Sequence, residues 1–255
     1  MPAGNTSLHS NKTGLCLSGG GLRGIAHLGV IQALEEHGLT PAMISGTSAG
    51  AIVGAFYAAG YTPQEMLEIA GETNFFALIN FRGGGWFSTD IFMQLFERYL
   101  PDNRFEALLK PLHVAATDFS NGTTHYFNSG QLHTALMASA SLPLIFPPMN
   151  IDGAHYMDGG ILNNLPIEPI ENSCDLLIGS HVNSAGKLHK RMPGRAQILS
   201  RSFHLLMSSV VYMKAHRCHL FFDPPELIRV SMFDRSSARK LYDYGYEYAS
   251  RKLDT

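Results

Sequence analysis

The sequence predicts an α/β fold with a mostly parallel sheet. Three observations carry this expectation. Short apolar runs alternate with stretches of helical periodicity along the chain. Charged residues make up only 16% of the 255, while glycines number 25, a balance that suits buried strands, tight turns and close helix packing. The first two strand-like runs each end in a glycine-rich turn that leads into a helical pattern.

Leu15–Ser18 reads as the first strand, followed by Gly19–Gly21. Gly24–His37 carries Ile25, Leu28, Ile31 and Leu34 at helical spacing, with Gly38 as its cap. Pro41–Ser45 is the second strand and Ala49–Ala59 a helix of small residues. Thr62, Pro63 and Glu65 form a capping box for the next helix. Asn74–Phe87, with five aromatics and the run Gly83–Gly85, reads as an apolar loop before a helix over Ser88–Leu100. Leu112–Asp118 and Thr123–Asn128 flank Asn121-Gly122 as a hairpin, and Asp152-Gly153 marks a second turn. Gln131–Ser141 is helical, Leu142–Pro148 a proline-stiffened loop and Leu176–Asn183 an apolar strand. Arg195–His219 is the longest helical pattern. Leu227–Val230 is expected as the last strand and Ser236–Lys252 as the closing helix. Nothing divides the chain, so the expected organisation is a flexible N-terminal tail over 1–13 and one domain over 14–255.

The bulk numbers exclude several function classes. A net charge of −2 gives no electrostatic case for nucleic acid. The five basic residues between Lys187 and Arg201 read as solvated surface, with anionic lipid the alternative. Three scattered cysteines, Cys16, Cys174 and Cys218, form neither a disulfide framework nor a zinc site, which points to a reducing compartment. The polar N-terminus lacks the apolar core of a secretory signal, so a cytoplasmic protein is expected. Ala42–Gly60 is apolar, but its glycines and hydroxyls make it strand, turn and helix inside a core rather than a membrane span.

The chemistry lies in three short motifs. Gly46-Thr47-Ser48-Ala49-Gly50 is G-x-S-x-G between a strand and a helix, the context of a nucleophile elbow. Alone, it is equally a helix cap on a glycine-rich turn. Gly19-Gly20-Gly21-Leu22-Arg23-Gly24 presents backbone N–H groups toward one point, which suits an anion, either a phosphate or the oxyanion of acyl transfer. An acidic ribose binder is missing at the end of the second strand, which favours the oxyanion. Gly20 and Gly21 are the first candidates as donors, with Gly19 behind them and Ala49 as a further one. Arg23 either anchors this loop or meets a lipid phosphate, or it is a surface or structural cation. Asp158-Gly159-Gly160 places a carboxylate beside two glycines, and by itself it is also an ordinary Asp-Gly turn.

GGGLRG, GTSAG, ASASLPLIFPP and DGGILNNLP, in this order, resemble the blocks of patatin-like phospholipases, over roughly Gly14 to Gly245. Ser18 departs from the Asp or Gly that many members carry before the three glycines. The resemblance implies a three-layer α/β/α sandwich and a lipid acyl-ester hydrolase of phospholipase A or lysophospholipase type. It implies a Ser48–Asp158 dyad without histidine, an oxyanion loop at Gly19, Gly20 and Gly21, and supporting roles for Arg23, Gly46, Ala49, Gly50, Gly159 and Gly160. No cofactor or metal is called for. The partner is a lipid ester, with a peripheral contact to membrane or micelle; the oligomeric state stays open. Phe75, Phe76, Phe81, Trp86 and Phe87 are either the rim of that contact or core. Two other functions compete, an acyltransferase using the same serine and a lipid-binding regulator. A Ser-Asp-His triad is the rival mechanism, with His181 the best placed of His181, His189, His204, His216 and His219.

Overall fold

A computed structural model describes residues 12–73, 81–82, 86–87, 90–143, 145–184, 194–229 and 238–255. Strand β1 (Thr13–Leu17) is followed by a 3-10 turn (Gly21–Ile25) and α1 (Ala26–Glu36), then β2 (Met43–Thr47), α2 (Ala49–Ala58) and α3 (Pro63–Glu72). Two-residue strands β3 (Phe81–Arg82) and β4 (Trp86–Phe87) pair with each other, and α4 (Asp90–Tyr99) follows. The chain continues through β5 (Leu112–Asp118), β6 (Thr123–Phe127), α5 (Leu132–Ala140), β7 (Met149–Ile151), β8 (Ala154–Asp158) and β9 (Leu176–Ser180). It ends with α6 (Arg195–Ala215), β10 (Leu220–Phe222), a 3-10 segment (Pro225–Arg229) and α7 (Ala238–Leu253).

The main sheet runs β10-β9-β1-β2-β5-β8-β7, with β6 on β5. β10, β9, β1, β2 and β5 are mutually parallel; β6, β7 and β8 join antiparallel. The sheet is therefore mixed, its parallel part formed by the strands that alternate with helices and its antiparallel part by the two hairpins. Side-chain alternation along the strands separates two cores. Leu15, Leu17, Ile44 and Ile178 point to the layer of α1, α2, α5 and α7. Cys16, Met43 and Leu177 point to the opposite face, under Val211 of α6 and the segment carrying Leu165, Ile167 and Ile170. This is a three-layer α/β/α sandwich.

Three local expectations shift. Thr13, expected in the tail, opens β1 because it registers with Leu176 of β9. Of the expected strand Leu227–Val230, Leu227–Arg229 lie in a 3-10 turn begun at Pro225 from which Leu227 enters the core, Val230 lies outside the described residues, and β10 is the last strand among them. Phe81–Phe87 holds a small strand pair where a loop was expected. The side chains of the aromatic rim residues, the run Gly83–Gly85 and His189 lie outside the described residues.

α1 and α7 cross so closely that each needs a glycine. A Cβ on Gly29 would lie 2.1 Å from the Tyr242 carbonyl oxygen, and one on Gly245 would lie 2.0 Å from that of Ala26. Backbone cannot yield as a flexible side chain can. Gly245→Ala is expected to destabilise the fold by about 3 kcal/mol in urea unfolding. Gly71→Ala on α3, with nothing within 4 Å of its Cβ, is the control and should be neutral or stabilising.

Candidate active site

The sheet topology brings Ser48 and Asp158 together. β5 has three partners and only two edges. β6 spans Val114 to Asp118 on one edge, so β2 and β8 must share the other. β2 ends with Thr47 opposite Ala115, and β8 ends with Asp158 opposite Ala116. The two strands run in opposite senses and meet tip to tip, so the residue after Thr47 faces the residue that closes β8.

Ser48 sits at φ 53° and ψ −122°, a left-handed conformation unusual for a residue with a side chain. It is held there from several sides. Its N–H donates to Ser139 Oγ at 2.7 Å, and Ser139 Oγ in turn donates to the Ala115 carbonyl at 2.6 Å. Its carbonyl accepts from Ala51 and Ile52 as α2 begins. The turn allows no Cβ at its flanks: one on Gly50 would lie 2.3 Å from Leu17 O, and one on Gly46 would lie 2.6 Å from the Gly50 carbonyl. Ala49, the first residue of α2, presents its N–H at the helix N-terminus.

Asp158 is fixed as firmly. Its N–H donates to Ser141 O at 2.9 Å, and its carbonyl accepts from Thr117 Oγ1 at 2.9 Å. Oδ1 accepts the Gly160 N–H at 2.7 Å. Oδ2 is buried and has no hydrogen-bond partner among the described residues. Burial pushes the carboxyl up to about 6, while the Ser48 hydroxyl and the Gly160 N–H act in the opposite direction. Gly159 has no room for a side chain, since a Cβ would lie 2.3 Å from Ala115 O. A Cβ on Gly160 would strike Met207 Cε of α6 at 2.3 Å.

The glycine loop closes the third side. A Cβ on Gly19 would lie 3.1 Å from Ser48 Cβ and 2.7 Å from Asn164 Oδ1, so the loop backbone runs directly past the serine. The Gly19 N–H donates to Asn164 Oδ1 at 3.0 Å and is thereby occupied. The N–H groups of Gly20 and Gly21 meet no acceptor among the described residues. Gly21 has φ 58°, which suits a residue without Cβ. Arg23 is buried and donates from Nη1 to Asn183 Oδ1 at 2.9 Å, which corrects the surface-cation reading. Burial lowers its pKa.

Two histidines brace the loop from behind. His27 is fully buried, with Nε2 at 2.9 Å from Ser18 O and Nδ1 at 2.8 Å from Ser180 Oγ. A carbonyl can only accept, so Nε2 carries the proton and Nδ1 accepts from Ser180. Burial lowers its pKa to about 4. His181 places Nδ1 at 3.1 Å from Ser18 Oγ and lies between the rings of Tyr212 and Phe221; burial brings it down to about 3. No described hydrogen bond links either ring, or that of His204, to Ser48 or Asp158. His204 Nε2 instead donates to Asn183 O.

Residues 15–170 match the family model for patatin-like phospholipases. The chain belongs to the patatin-like phospholipase family. An uncharacterized NTE family protein of Mycobacterium tuberculosis is 33% identical over 181 residues, covering 69% of this chain and 50% of its own length. The lysophospholipase NTE1 of Saccharomyces cerevisiae is 25% identical over 282 residues, covering 94% of this chain and 16% of its own. The chain thus spans about half the length of the bacterial relative. Among solved structures, VipD from Legionella pneumophila superposes with a TM-score of 0.63 at 16% identity, covering 96% of this chain and 67% of that one, which shows a shared fold.

Motif reading gave no individual role to Ser139 and Ser141, and noted Asn164 only as following the Asp158 motif. The ASASLP block holds the serine through one hydroxyl and the aspartate through one carbonyl. Asn164 ties the glycine loop to the aspartate loop. Asn164→Ala is expected to lower kcat by about 10- to 100-fold with little change in KM, the loss of one buried hydrogen bond expressed in the position of the loop. Steady-state kinetics beside a thermal melt separates this from unfolding. Among the described residues, no group of three or more His, Cys, Asp or Glu side chains is placed to hold a metal. Cys16, Cys174 and Cys218 are free thiols, and no described helix is long and apolar enough to cross a membrane.

Proposed function

We propose that the chain hydrolyses fatty-acyl esters of lipids, as a phospholipase A or lysophospholipase, through Ser48 and Asp158. The observation that carries this reading is the buried, unpartnered Oδ2 of Asp158 in the same cleft as a serine at φ 53°. Burying a carboxylate oxygen without a partner is costly. A base that takes up a proton in each turnover has a reason to keep that oxygen free.

In this mechanism Asp158 accepts the Ser48 hydroxyl proton while Ser48 Oγ attacks the ester carbonyl carbon. The tetrahedral oxyanion accepts N–H bonds from Gly20 and Gly21, whose N–H groups meet no acceptor among the described residues, and from Ala49 at the N-terminus of α2. Gly19 holds the loop through Asn164 instead of donating to the oxyanion. The bond from acyl carbon to alcohol oxygen breaks, and the alcohol leaves with the proton from Asp158. Water then gives a proton to Asp158 and attacks the acyl-serine carbonyl carbon; the bond from acyl carbon to Ser48 Oγ breaks, Ser48 Oγ takes the proton back from Asp158, and the fatty acid leaves. No histidine takes part: His27 and His181 are held neutral by burial and engaged at Ser18 and Ser180. The relatives' names support a lysophospholipid or phospholipid ester as substrate.

A panel of phospholipids and lysophospholipids, assayed for free fatty acid with wild type and Ser48→Ala, tests the proposal. Ser48→Ala should lose at least about 10³-fold in activity and all labelling by a fluorophosphonate. Equal release by both proteins would refute it. Faster transfer to an added alcohol than to water would make the enzyme an acyltransferase.

A further inference from the structure

Asn163 lies between the two halves of the site, and its main chain touches the neighbour of each reacting residue. Its carbonyl accepts from Thr47 Oγ1 at 2.8 Å, and Thr47 precedes Ser48. Its N–H donates to the Gly159 carbonyl at 2.8 Å, and Gly159 follows Asp158. Asn163 therefore bridges the nucleophile strand and the aspartate turn through a single residue. The two are tightly apposed, since a Cβ on Gly159 would lie 3.1 Å from Thr47 Cγ2.

The side chain holds this bridge in place. Its Oδ1 accepts from Lys214 Nζ, in the last turn of α6, at 2.6 Å. Its Nδ2 donates to Tyr126 OH of β6 and to Glu168 Oε2, both at 2.9 Å. Tyr126 OH donates to Glu168 Oε2 at 3.1 Å, and Lys214 Nζ pairs with Glu168 Oε1 at 2.5 Å. The amide thus uses both of its donors and its acceptor. Asn163 is 3% exposed and the Lys214 side chain 15%, so water competes little for these bonds. A polar network whose members are all engaged in this way rigidifies what it holds. No described bond links Lys214 to Ser48 or Asp158; its route to them is Asn163.

We propose that Asn163 is a positioning residue that sets the spacing of Ser48 and Asp158, and that Lys214 locks it there through Oδ1. Proton transfer in a dyad without histidine is direct, and a misplacement of about 1 Å between reacting groups costs about 10²-fold in rate. Loosening Asn163 frees Thr47 and Gly159 from each other and slows the chemical step without altering the groups that receive the ester. The inference rests on the Ser48–Asp158 reading, and its test separates the failure of one from the failure of the other.

Full-length wild type, Lys214→Met and Arg217→Met would be compared by the rate and end point of Ser48 labelling with a fluorophosphonate, by kcat and KM on a short water-soluble ester, and by a thermal melt. Arg217, just past α6, pairs with Glu171 and has no described bond to the site, so its loss reports what removing an ion pair at this end of the helix does by itself. Lys214→Met is expected to lower the labelling rate and kcat by about 10- to 100-fold with KM unchanged. Labelling should still run to completion, which separates slow chemistry from a partly unfolded population. Arg217→Met should keep wild-type kinetics. If Lys214→Met does not fold, Tyr126→Phe carries the test: it deletes one hydroxyl from the same network and should lower both rates by about threefold or more. The same kinetics in Lys214→Met and Arg217→Met, a change in KM alone, or a folded Tyr126→Phe at wild-type rates overturns the positioning role, while labelling of the wild type leaves the dyad standing. A wild type that neither labels nor hydrolyses refutes the nucleophile, and this role with it.

Discussion

Replacing Asp158 by asparagine is expected to remove turnover and stabilise the protein at the same time. Without the carboxylate, Ser48 has no base, and ester hydrolysis should fall by about 10⁴-fold or more. The stability gain follows from the buried carboxyl. Its pKa in the folded chain is about 6, against an ordinary value of 3.8. Between these two values the folded state binds the more protons, so stability falls as pH rises through that window. Above about pH 6 the full cost is present, about 3 kcal/mol for a displacement of this size. Asparagine keeps an oxygen for the Gly160 N–H and carries no charge. Urea unfolding at pH 8 should therefore show the variant more stable by up to about 3 kcal/mol, with the difference shrinking toward pH 4. In the wild type, kcat/KM should rise through about pH 6 as Asp158 ionises. A variant that is inactive but no more stable at pH 8 than at pH 4 would mean that the carboxylate is paired in solution, and the free-base reading would fail.

The parts of this site differ in how plainly the sequence carries them. GTSAG and the three glycines were legible because their chemistry is local: a strand, a sharp turn and a helix N-terminus occupy consecutive residues. The capping box at Thr62 and the hairpin at Asn121-Gly122 were legible for the same reason. The encounter of Ser48 with Asp158 was not legible from the residues themselves, because it depends on β2 and β8 dividing one edge of β5, through pairings such as Thr47 with Ala115 and Ala116 with Asp158 that lie 68 and 42 positions apart. Ser139, Ser141 and Asn164 act through single hydrogen bonds to Ser48, Asp158 and Gly19, residues 91, 17 and 145 positions away, and a single serine or asparagine gives no periodic signal. Leu227–Val230 shows the opposite failure. Leu227, Ile228 and Val230 around Arg229 suit a short strand as well as a turn, and Pro225 decided for the turn at Leu227–Arg229.

His27 and His181 should make the folded protein acid-labile. Both are neutral and buried, and His27 opposes protonation of His181. Above pH 6.5 they are uncharged in the folded and unfolded chains alike, and stability is at its full value. As pH falls below 6.5 the unfolded chain takes up protons that the folded one refuses until about pH 4 at His27 and about pH 3 at His181. Stability is lost through that window. At pH 4.5 the two together cost about 5 kcal/mol, against which the rising protonation of Asp158 returns about 2. A net loss of about 3 kcal/mol between pH 7 and 4.5 is a large share of the 5 to 15 kcal/mol by which domains are commonly stable. The loss should reach the site early, since protonating His27 sets an N–H against the Ser180 hydroxyl and disturbs Ser18, where the glycine loop begins. His27→Gln plus His181→Gln should flatten the stability profile between pH 7 and 4.5 and leave the rise of kcat/KM near pH 6 in place, because that rise belongs to Asp158. If the double variant instead abolishes the kinetic step and leaves the acid transition unchanged, histidine is the base and the dyad is wrong.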